Sequence, residues 1–372
     1  MKPGTHAVAE KVLLSMSGGR KSAIAASILQ KQGYNVIGVH FTKKDNPLFP
    51  CSRDRTAQVK DIASKMSIDV HMVDISESFQ IEVEERFVHD RTAGLSSNPC
   101  AVCQGKLCFE PLIQKADQMG IKWIATGHAA QLIKSSESDF IHLYQANDLT
   151  MDESQLLMSL DQATLKRLVL PLGTLNQAML FKLAVQFELA EHDDPDRSMM
   201  TAMPCYQEIA EETLDWLKSK IPPELSKKGA IRTTEQEIVG AHDGLYRYRL
   251  GQPARDLKIE YEGSNQLVIE SFDSKTYEVR IGPKTTLNHQ VFILKELSWI
   301  LPIDTLHYNA CSVKIQHRKE NLPAKIILFE GGRGRLILEQ PISLVNLGET
   351  VAIYDNQELL GGGVIESYAL LD

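Results

Sequence analysis

The chain has few cysteines and no long apolar run, and both shortages narrow the class of protein. Six cysteines in 372 residues are too few and too scattered to hold a secreted fold together by disulfides. The sequence contains no stretch of about 18 apolar residues that could cross a membrane. Residues 1–10 also lack the apolar run of a secretory leader. We therefore expect a globular protein of the cytoplasm.

Positive charge is scarce as well. The 40 Lys and Arg residues stand against 48 Asp and Glu residues, which gives a net charge of −8. This balance argues against a protein that coats nucleic acid non-specifically, but it is compatible with a shaped RNA held by local basic patches. The composition, 43% hydrophobic and 24% charged, is typical of a globular enzyme. The length predicts about two or three domains.

The most informative segment present is a glycine turn, Ser17-Gly18-Gly19-Arg20-Lys21-Ser22, directly after the apolar run at 12–16. Two glycines let backbone N–H groups converge on an anion, and a following helix would direct its positive end to the same place. The spacing differs from that of a Walker loop and from the dinucleotide G-x-G-x-x-G. It favours a nucleotide held by its pyrophosphate, with an ordinary strand-to-helix turn as the alternative.

Short β-rich runs alternate with segments of helical period in the first part of the chain, at 12–16, 36–40, 70–74 and 123–126. This pattern predicts an α/β fold with a doubly wound parallel sheet, which binds ligands at the carboxyl ends of its strands. A glycine-punctuated segment after Pro222-Pro223 predicts a small extended module. Regular short strands after Trp299 predict a β-barrel. We predict domains at 1–212, 213–290 and 291–372.

Cys100 and Cys103 form a CxxC spacing just before a predicted helix from Gly105 to Met119. A helix N-terminus lowers the pKa of a nearby thiol and so raises its nucleophilicity. Zinc would need a second CxxC or a histidine pair, and the sequence has neither at ligand spacing. Inert buried cysteines are the other alternative, which suits Cys51, Cys108 and Cys311. For the CxxC itself we favour sulfur or redox chemistry.

Two more residues are candidates for the site because of the residues expected near them. Cys205, in Met203-Pro204-Cys205-Tyr206, is a further thiol whose own surroundings do not indicate reactivity. His128 follows the predicted strand at 123–126 and so lies at the same sheet edge as the glycine turn. A lone histidine is otherwise a packed or solvated residue.

Several motifs follow one another in a specific order: Ser17-Gly18-Gly19-Arg20-Lys21-Ser22, Asn98-Pro99-Cys100-Ala101-Val102-Cys103, Thr126-Gly127-His128-Ala129 and Asp152-Glu153-Ser154-Gln155-Leu156-Leu157. They resemble SGG-x-DS, NP-x-x-x-C, TGH and DQSYFL of the tRNA-specific 2-thiouridylase family. The segments at 171–173, 240–244, 250–252, 352–355 and 360–363 also fit that family. The resemblance therefore runs nearly end to end.

The resemblance implies an N-terminal PP-loop domain, similar to adenine nucleotide α-hydrolases, and a reaction in two stages. The C2 oxygen of a wobble uridine attacks the α-phosphate of ATP, and pyrophosphate leaves. A persulfide on Cys205 then delivers sulfur to C2 as AMP leaves, and Cys103 resolves the sulfur as a disulfide. Mg²⁺ would neutralise the phosphates. The implied partners are tRNA and a persulfide sulfur donor protein.

The same resemblance assigns residues to ligands. The ATP site would consist of Met16, Ser17, Gly18, Gly19, Arg20, Lys21, Ser22, Phe41 and Gly127. The target base would face Asn98, Pro99 and Cys100, and tRNA would contact His128, Asp152, Glu153, Gln316, His317 and Glu349. An anticodon base can be unstacked cheaply for such chemistry.

The chain departs from the family pattern mainly by changing charges. Lys21 replaces an aspartate, and a lysine can bind pyrophosphate but cannot hold Mg²⁺. Further departures are Cys100 for an acid, Gln104 for asparagine, Met151 for lysine, Gln316-His317 for Arg-Tyr, Glu349 for glutamine, and the loss of a basic run at 253–255.

These departures leave two alternatives open. One alternative is a diverged paralogue that binds RNA or nucleotide without this thiolation, or thiolates another substrate. Another is an iron–sulfur cluster on Cys100, Cys103 and Cys205.

Overall fold

The computed structural model describes residues 9–46, 49–95, 99–187, 211–223, 226–302, 307–316, 318 and 320–370. Contacts divide the chain into two compact units. Unit 1 comprises Met1–Phe79, Val102–Cys205 and Gln357–Leu360, and unit 2 comprises Gln80–Ala101, Tyr206–Asn356 and Gly361–Asp372. The boundaries of the three predicted domains stay a prediction.

The described residues form helices in both units. The α-helices are α1 Arg20–Lys31, α2 Thr56–Lys65, α3 Ser76–Phe79, α4 Arg86–Thr92, α5 Pro99–Val102, α6 Phe109–Gln118, α7 Gln162–Leu165, α8 Gln177–Gln186 and α9 Glu211–Lys220. Two segments are π-helical, Gln80–Glu85 and Cys103–Leu107. Short 3₁₀ turns lie at Pro50–Ser52, Ser154–Leu157, Leu245–Arg247, Ala254–Asp256, Ser264–Gln266 and Lys284–Leu287.

The strands of unit 1 are β1 Lys11–Ser15, β2 Asn35–Thr42, β3 Val70–Asp74, β4 Trp123–Ala125, β5 Ala130–Lys134, β6 Ile141–Gln145 and β7 Leu168–Val169. Five of them form a parallel sheet in the order β3-β2-β1-β4-β7. The central strand β1 is the most deeply buried, with Leu13 aligned to Ile37 on one side and Ile124 on the other. Because all five strands run the same way, β1, β2 and β4 end at one edge. This confirms the predicted parallel sheet.

The other two strands of unit 1 form a hairpin. Residues of β5 and β6 pair antiparallel, and β6 then pairs with Glu358 and Leu359. The His142 Nδ1 atom lies 2.6 Å from the Glu358 carboxylate. The sequence did not predict this hairpin.

Unit 2 contains two β-structures. The strands β8 Gly229–Thr233, β9 Ile238–His242, β10 Leu267–Asp273 and β11 Glu278–Pro283 form a small sheet in the order β10-β11-β8-β9. The strands β12 Asn288–Trp299, β13 His307–Ile315, β14 Leu322–Phe329, β15 Arg333–Ser343, β16 Thr350–Asp355 and β17 Glu358–Ala369 form an antiparallel barrel. The barrel closes because β12 pairs with both β15 and β17. Its interior includes the buried residues Phe292, Leu336 and Tyr354.

Two details of the sequence prediction are wrong. The barrel begins with β12, before Trp299, and the register shifts in its pairings interrupt the alternation that marks a strand in a sequence. The helix predicted from Gly105 to Met119 is an α-helix only over Phe109–Gln118, and a π-helical segment precedes it. Among the described residues, no helix combines the length and apolar character needed to cross a membrane.

Candidate active site

The glycine turn lies at the carboxyl end of β1, as predicted. Gly18 adopts a φ of 77°, a conformation that glycine tolerates best, and Gly19 caps α1. The hydroxyl of Ser22 donates to the Gly19 carbonyl at 2.8 Å, and the Gly19 N–H donates to the Ser17 hydroxyl at 3.3 Å. Gly19 brings no side chain over the helix end, and the first turn carries two basic residues. An anion is therefore favoured there.

Gly127 approaches the same helix end from the loop after β4. A Cβ atom at Gly127 would lie 3.2 Å from both the Lys21 carbonyl carbon and the Ser22 nitrogen. Such contacts are tight against backbone atoms that cannot move aside. Glycine therefore allows the β4–β5 loop to lie directly against the start of α1.

Lys21 is held by a residue far away in the sequence. Its Nζ atom lies 2.5 Å from the Glu153 carboxylate, which also accepts the N–H of Ala129 at 3.0 Å. Burial acts to raise the pKa of Glu153, which is 8% exposed, but Lys21, His128 and the Ala129 N–H outweigh it and hold that pKa below its ordinary value. The result is an ionised pair at the edge of the glycine turn.

This pair joins two departures from the 2-thiouridylase pattern. Lys21 stands where SGG-x-DS has aspartate, and Glu153 stands where DQSYFL has glutamine. Each change alone would leave a buried charge without an opposite partner, which is costly. Together they neutralise each other, so the two positions carry no net charge where the family pattern carries one negative charge.

His128 connects this pair with the thiol-bearing segment. The side-chain oxygen of Gln104 lies 3.2 Å from Nε2, and the Thr126 hydroxyl lies 2.8 Å from Nδ1. An amide oxygen only accepts, so Nε2 carries the proton, and Thr126 donates to Nδ1. Burial lowers the pKa of His128, which Glu153 opposes and Lys21 reinforces. Burial therefore favours the neutral form of this histidine.

Cys103 begins the π-helical segment and is 6% exposed. The Cys108 thiol donates a hydrogen bond to the Cys103 sulfur. That bond lowers the pKa of Cys103; burial opposes the shift, and the Lys43 ammonium adds to it. The Lys43 ammonium also lies 3.9 Å from the sulfur of Cys51. Unit 1 thus holds a cluster of three thiols and one cation.

This cluster corrects part of the sequence interpretation. Cys51 is exposed rather than buried, and Cys108 contacts Cys103 instead of filling an inert site. The C-x₄-C spacing was the available signal, but residues five apart do not meet in an α-helix. Cys311 does fit the inert description, because its thiol donates to the Ala324 carbonyl at 3.4 Å and burial raises its pKa to about 11.

The other expected ATP residues lie along the same edge. Phe41 is half-buried near the end of β2, and Met16 is buried at 1% exposure. The Met16 carbonyl lies 2.7 Å from Nδ1 of His40. Sequence reasoning missed His40 and Gln104 as neighbours of the site, since only their tertiary contacts mark them.

Comparison with known proteins shows the family. Residues 10–202 match the family model described as the tRNA methyl transferase HUP domain, and residues 289–365 match the aminomethyltransferase beta-barrel domain. A protein of Trichormus variabilis named tRNA-specific 2-thiouridylase MnmA is 30% identical over 97% of this chain and 99% of its own. Proteins of the same name from Nostoc punctiforme and Ehrlichia canis are each 28% identical, over 97% and 95% of this chain and 100% and 94% of their own.

The chain belongs to the tRNA-specific 2-thiouridylase family. Membership confirms the resemblance drawn from the motifs. Within this chain, the expected base-facing residues Pro99 and Cys100 lie in α5, buried and half-buried respectively. Asn98, Cys205 and His317 lie outside the described residues, so their roles and the pairing of Cys103 with Cys205 stay predictions. None of the five described cysteines is in a disulfide.

The residues expected to contact tRNA are mostly buried in the described structure. Asp152 is 4% exposed and accepts bonds from Ala146, Gln145 and Ser154. Gln316 and Glu349 are each 8% exposed. Their contact with tRNA stays a prediction.

The described residues at the loop do not fit a resident magnesium ion. Glu153 is the carboxylate beside Lys21, and it is already bonded to the Lys21 ammonium and the Ala129 N–H. Among the described residues, no group of three or more His, Cys, Asp and Glu side chains is arranged to hold a metal. Magnesium would have to enter bound to the phosphates of ATP. The iron–sulfur hypothesis includes Cys205 and stays a prediction.

Proposed function

We propose that this chain is an ATP-dependent tRNA sulfurtransferase that converts C2 of a wobble uridine to the thiocarbonyl. Family membership supports this proposal. The observation that carries it is the chain of contacts from the thiol segment to the glycine turn. Gln104, next to Cys103, bonds His128, and His128 lies in the field of the Lys21–Glu153 pair. Activation and sulfur delivery need such proximity.

In the first stage the glycine turn binds the phosphates of ATP. The N–H groups and dipole at the start of α1 attract the anion, and the Lys21 ammonium exchanges Glu153 for pyrophosphate. Phe41 and Gly127 lie at the same edge and would line the adenosine. The uridine C2 oxygen attacks the α-phosphate, and pyrophosphate leaves. The base is then electrophilic at C2.

In the second stage a sulfur nucleophile attacks C2 and AMP leaves. By family resemblance the outer sulfur of a persulfide on Cys205 attacks, and the Cys103 thiolate then attacks the inner sulfur to release 2-thiouridine. A Cys103–Cys205 disulfide remains, which an external dithiol reduces. A persulfide donor protein reloads Cys205. The reaction that we propose is cytoplasmic.

The direct test uses the full chain, ATP and a tRNA transcript with uridine at the wobble position, together with a persulfide donor. We expect 2-thiouridine in the nucleoside mass spectrum and equal amounts of AMP and pyrophosphate. A transcript with cytidine at the wobble position is the control. Release of ADP instead, or 2-thiouridine in the absence of ATP, contradicts the proposal.

The second candidate is a paralogue that binds nucleotide or RNA without adenylation, and the neutralised Lys21–Glu153 pair is the observation that favours it. Lys21→Asp alone would set two carboxylates against each other, so this variant should give little ATP–pyrophosphate exchange. Adding Glu153→Gln restores the residues of the family pattern and should recover exchange. If the native chain exchanges no pyrophosphate but the double variant does, the second candidate is correct.

A further inference from the structure

The π-helical segment at Cys103–Leu107 brings together two cysteines that an α-helix would separate. Residues five apart point about 140° away from each other around an α-helix. Here the N–H of Cys108 donates to the carbonyl of Cys103 at 3.0 Å, which is the bond pattern of a π-turn. Cys108 therefore follows Cys103 after one turn, on the same side of the helix.

The two sulfurs are in contact and differ in chemical character. Cys108 donates its thiol proton toward the Cys103 sulfur, so that Cys103 is the better thiolate of the two. The Lys43 ammonium favours the negative charge from outside the helix. A nucleophilic thiolate beside a second thiol is the arrangement of a redox pair, in which one sulfur reacts and the other resolves.

Gly105 lies at the middle of the π-turn and allows the turn to pack closely against another segment of unit 1. A Cβ atom there would lie 2.5 Å from the Ser159 hydroxyl oxygen. Glycine thus lets the turn pack against the segment that follows the Ser154–Leu157 turn. The segment is held on both sides, because Gln104 bonds His128.

Resting on the proposed function, we infer that Cys108 is the resolving thiol of Cys103, and that the two close to a disulfide within the π-turn after each sulfur transfer. The established pattern of the family does not assign this role to Cys108. In this scheme Cys103 forms two disulfides one after the other, first with Cys205 and then with Cys108.

The exchange step balances without an added oxidant. Let Cys103 carry a disulfide bond to a second sulfur, RS. The Cys108 sulfur attacks the Cys103 sulfur, a new bond forms between them, and the Cys103–SR bond breaks. The electron pair leaves with RS, which takes up the proton that Cys108 loses. An external dithiol then reduces the Cys103–Cys108 disulfide by two electrons and returns both thiols.

The first experiment tests the pair without tRNA or ATP. The full chain is equilibrated with glutathione disulfide, the remaining thiols are alkylated, and peptides are mapped by mass spectrometry. We expect a Cys103–Cys108 disulfide in the native chain and glutathione bound to Cys103 in Cys108→Ser. A native chain in which Cys108 is alkylated while Cys103 is oxidised overturns the inference. Cys311→Ser is the matched control and should give the native map.

The second experiment follows thiolation over many turnovers. We expect Cys108→Ser to form 2-thiouridine in the first turnover within about twofold of the native rate, and then to slow about tenfold, because the remaining disulfide is resolved slowly. Cys108→Ala also lacks the donor that lowers the pKa of Cys103, so its first turnover should be slower than that of Cys108→Ser, and the same further slowing should follow in later turnovers. Unchanged steady-state turnover in both variants overturns the inference. If the native chain makes no 2-thiouridine while the Cys103–Cys108 disulfide still forms, the proposed function fails and the redox pair stands.

Discussion

Unit 1 and the barrel of unit 2 each contain a buried carboxylate and a cysteine, which is buried in unit 1 and half-buried in the barrel, and the two regions shift the pKa values of these groups in opposite directions. Glu153 and Glu349 are both 8% exposed. The pKa of Glu153 is lowered by its neighbours, whereas burial raises that of Glu349 despite the bond from Asn346. Likewise the pKa of Cys103 is lowered and that of Cys311 is raised to about 11.

The difference teaches that burial alone does not set the charge of a group in this protein. Burial disfavours the charged form in all four cases. In unit 1 a specific donor and a cation overcome it, namely Lys21 for Glu153, and Cys108 with Lys43 for Cys103. Charged groups kept charged under burial are typical of functional sites.

The largest expected effect is the loss of sulfur transfer in Cys103→Ser. A serine hydroxyl does not replace a nucleophilic thiolate, so we expect 2-thiouridine formation to fall by at least about a thousandfold. Cys311→Ser in the barrel should stay within about twofold of the native rate, because a thiol that remains protonated contributes no nucleophile. The measurement is nucleoside mass spectrometry with ATP binding as the folding control. If Cys103→Ser and Cys311→Ser reduced 2-thiouridine formation equally, the two thiols would not differ in their contribution to the reaction.

The second largest effect is expected on stability, when the cation beside Glu153 is removed. Glu153 is then a buried carboxylate whose pKa is raised by burial, as that of Glu349 is. Lys21→Met removes the cation and leaves a buried carboxylate uncompensated, which should lower the free energy of unfolding by about 3 kcal/mol. Adding Glu153→Gln should recover more than half of that loss. Urea denaturation measures both. Lys65→Met, which removes an exposed helical pair with Asp61, is the control and should change the free energy by less than about 0.5 kcal/mol. A Lys21→Met cost as small as that of the control would contradict the pairing.

A smaller effect is expected in thiol alkylation. Cys103 is less exposed than Cys311, so accessibility alone predicts that Cys311 reacts faster with iodoacetamide. The lower pKa of Cys103 should reverse this order at pH 7, by about tenfold after allowance for the weaker nucleophilicity of a more acidic thiol. Peptide mapping of the native chain gives both rates in one sample. Faster labelling of Cys311 would show that access, not acidity, decides.

The smallest effect concerns the pH dependence of stability. A carboxyl whose folded pKa is lowered stabilises the protein above its unfolded pKa of about 4.5, and this contribution disappears as the pH falls through the folded value. The penalty of Glu153→Gln should therefore grow as the pH rises from 3.5 to about 6. Glu349 has a raised pKa, so Glu349→Gln should gain stability relative to the native chain over the same range. Denaturation curves at several pH values measure how the stability of each variant, relative to the native chain, changes with pH. A change of the same sign in both variants would be inconsistent with opposite pKa shifts of Glu153 and Glu349.

Much of the fold could be predicted from local pattern. The glycine turn, the strands at 12–16, 36–40, 70–74 and 123–126, and the closing barrel are encoded by apolar runs, turn residues and periodicity within short windows. The position of Gly127 and His128 beside the glycine turn also followed, because parallel strands bring their carboxyl ends to one edge. The sequence motifs were sufficient to recognise the family.

The site itself depends on contacts that no local pattern carries. Lys21 and Glu153 are 132 positions apart, and in the sequence each is an isolated departure from the family pattern. Only in the folded protein, at the edge of the parallel sheet, do Lys21 and Glu153 meet and form a neutral ion pair.

The sequence by itself determined which chemical groups the protein possesses: a glycine turn for an anion, a set of thiols, and a lysine where the family has an acid. Tertiary structure decided which of those groups meet. Cys103 was expected to act with Cys100 or Cys205, but a π-turn placed Cys108 against it. The reason is that a π-turn differs from an α-helix by one residue in its hydrogen-bond register, and packing and distant contacts, not the local sequence, select that register.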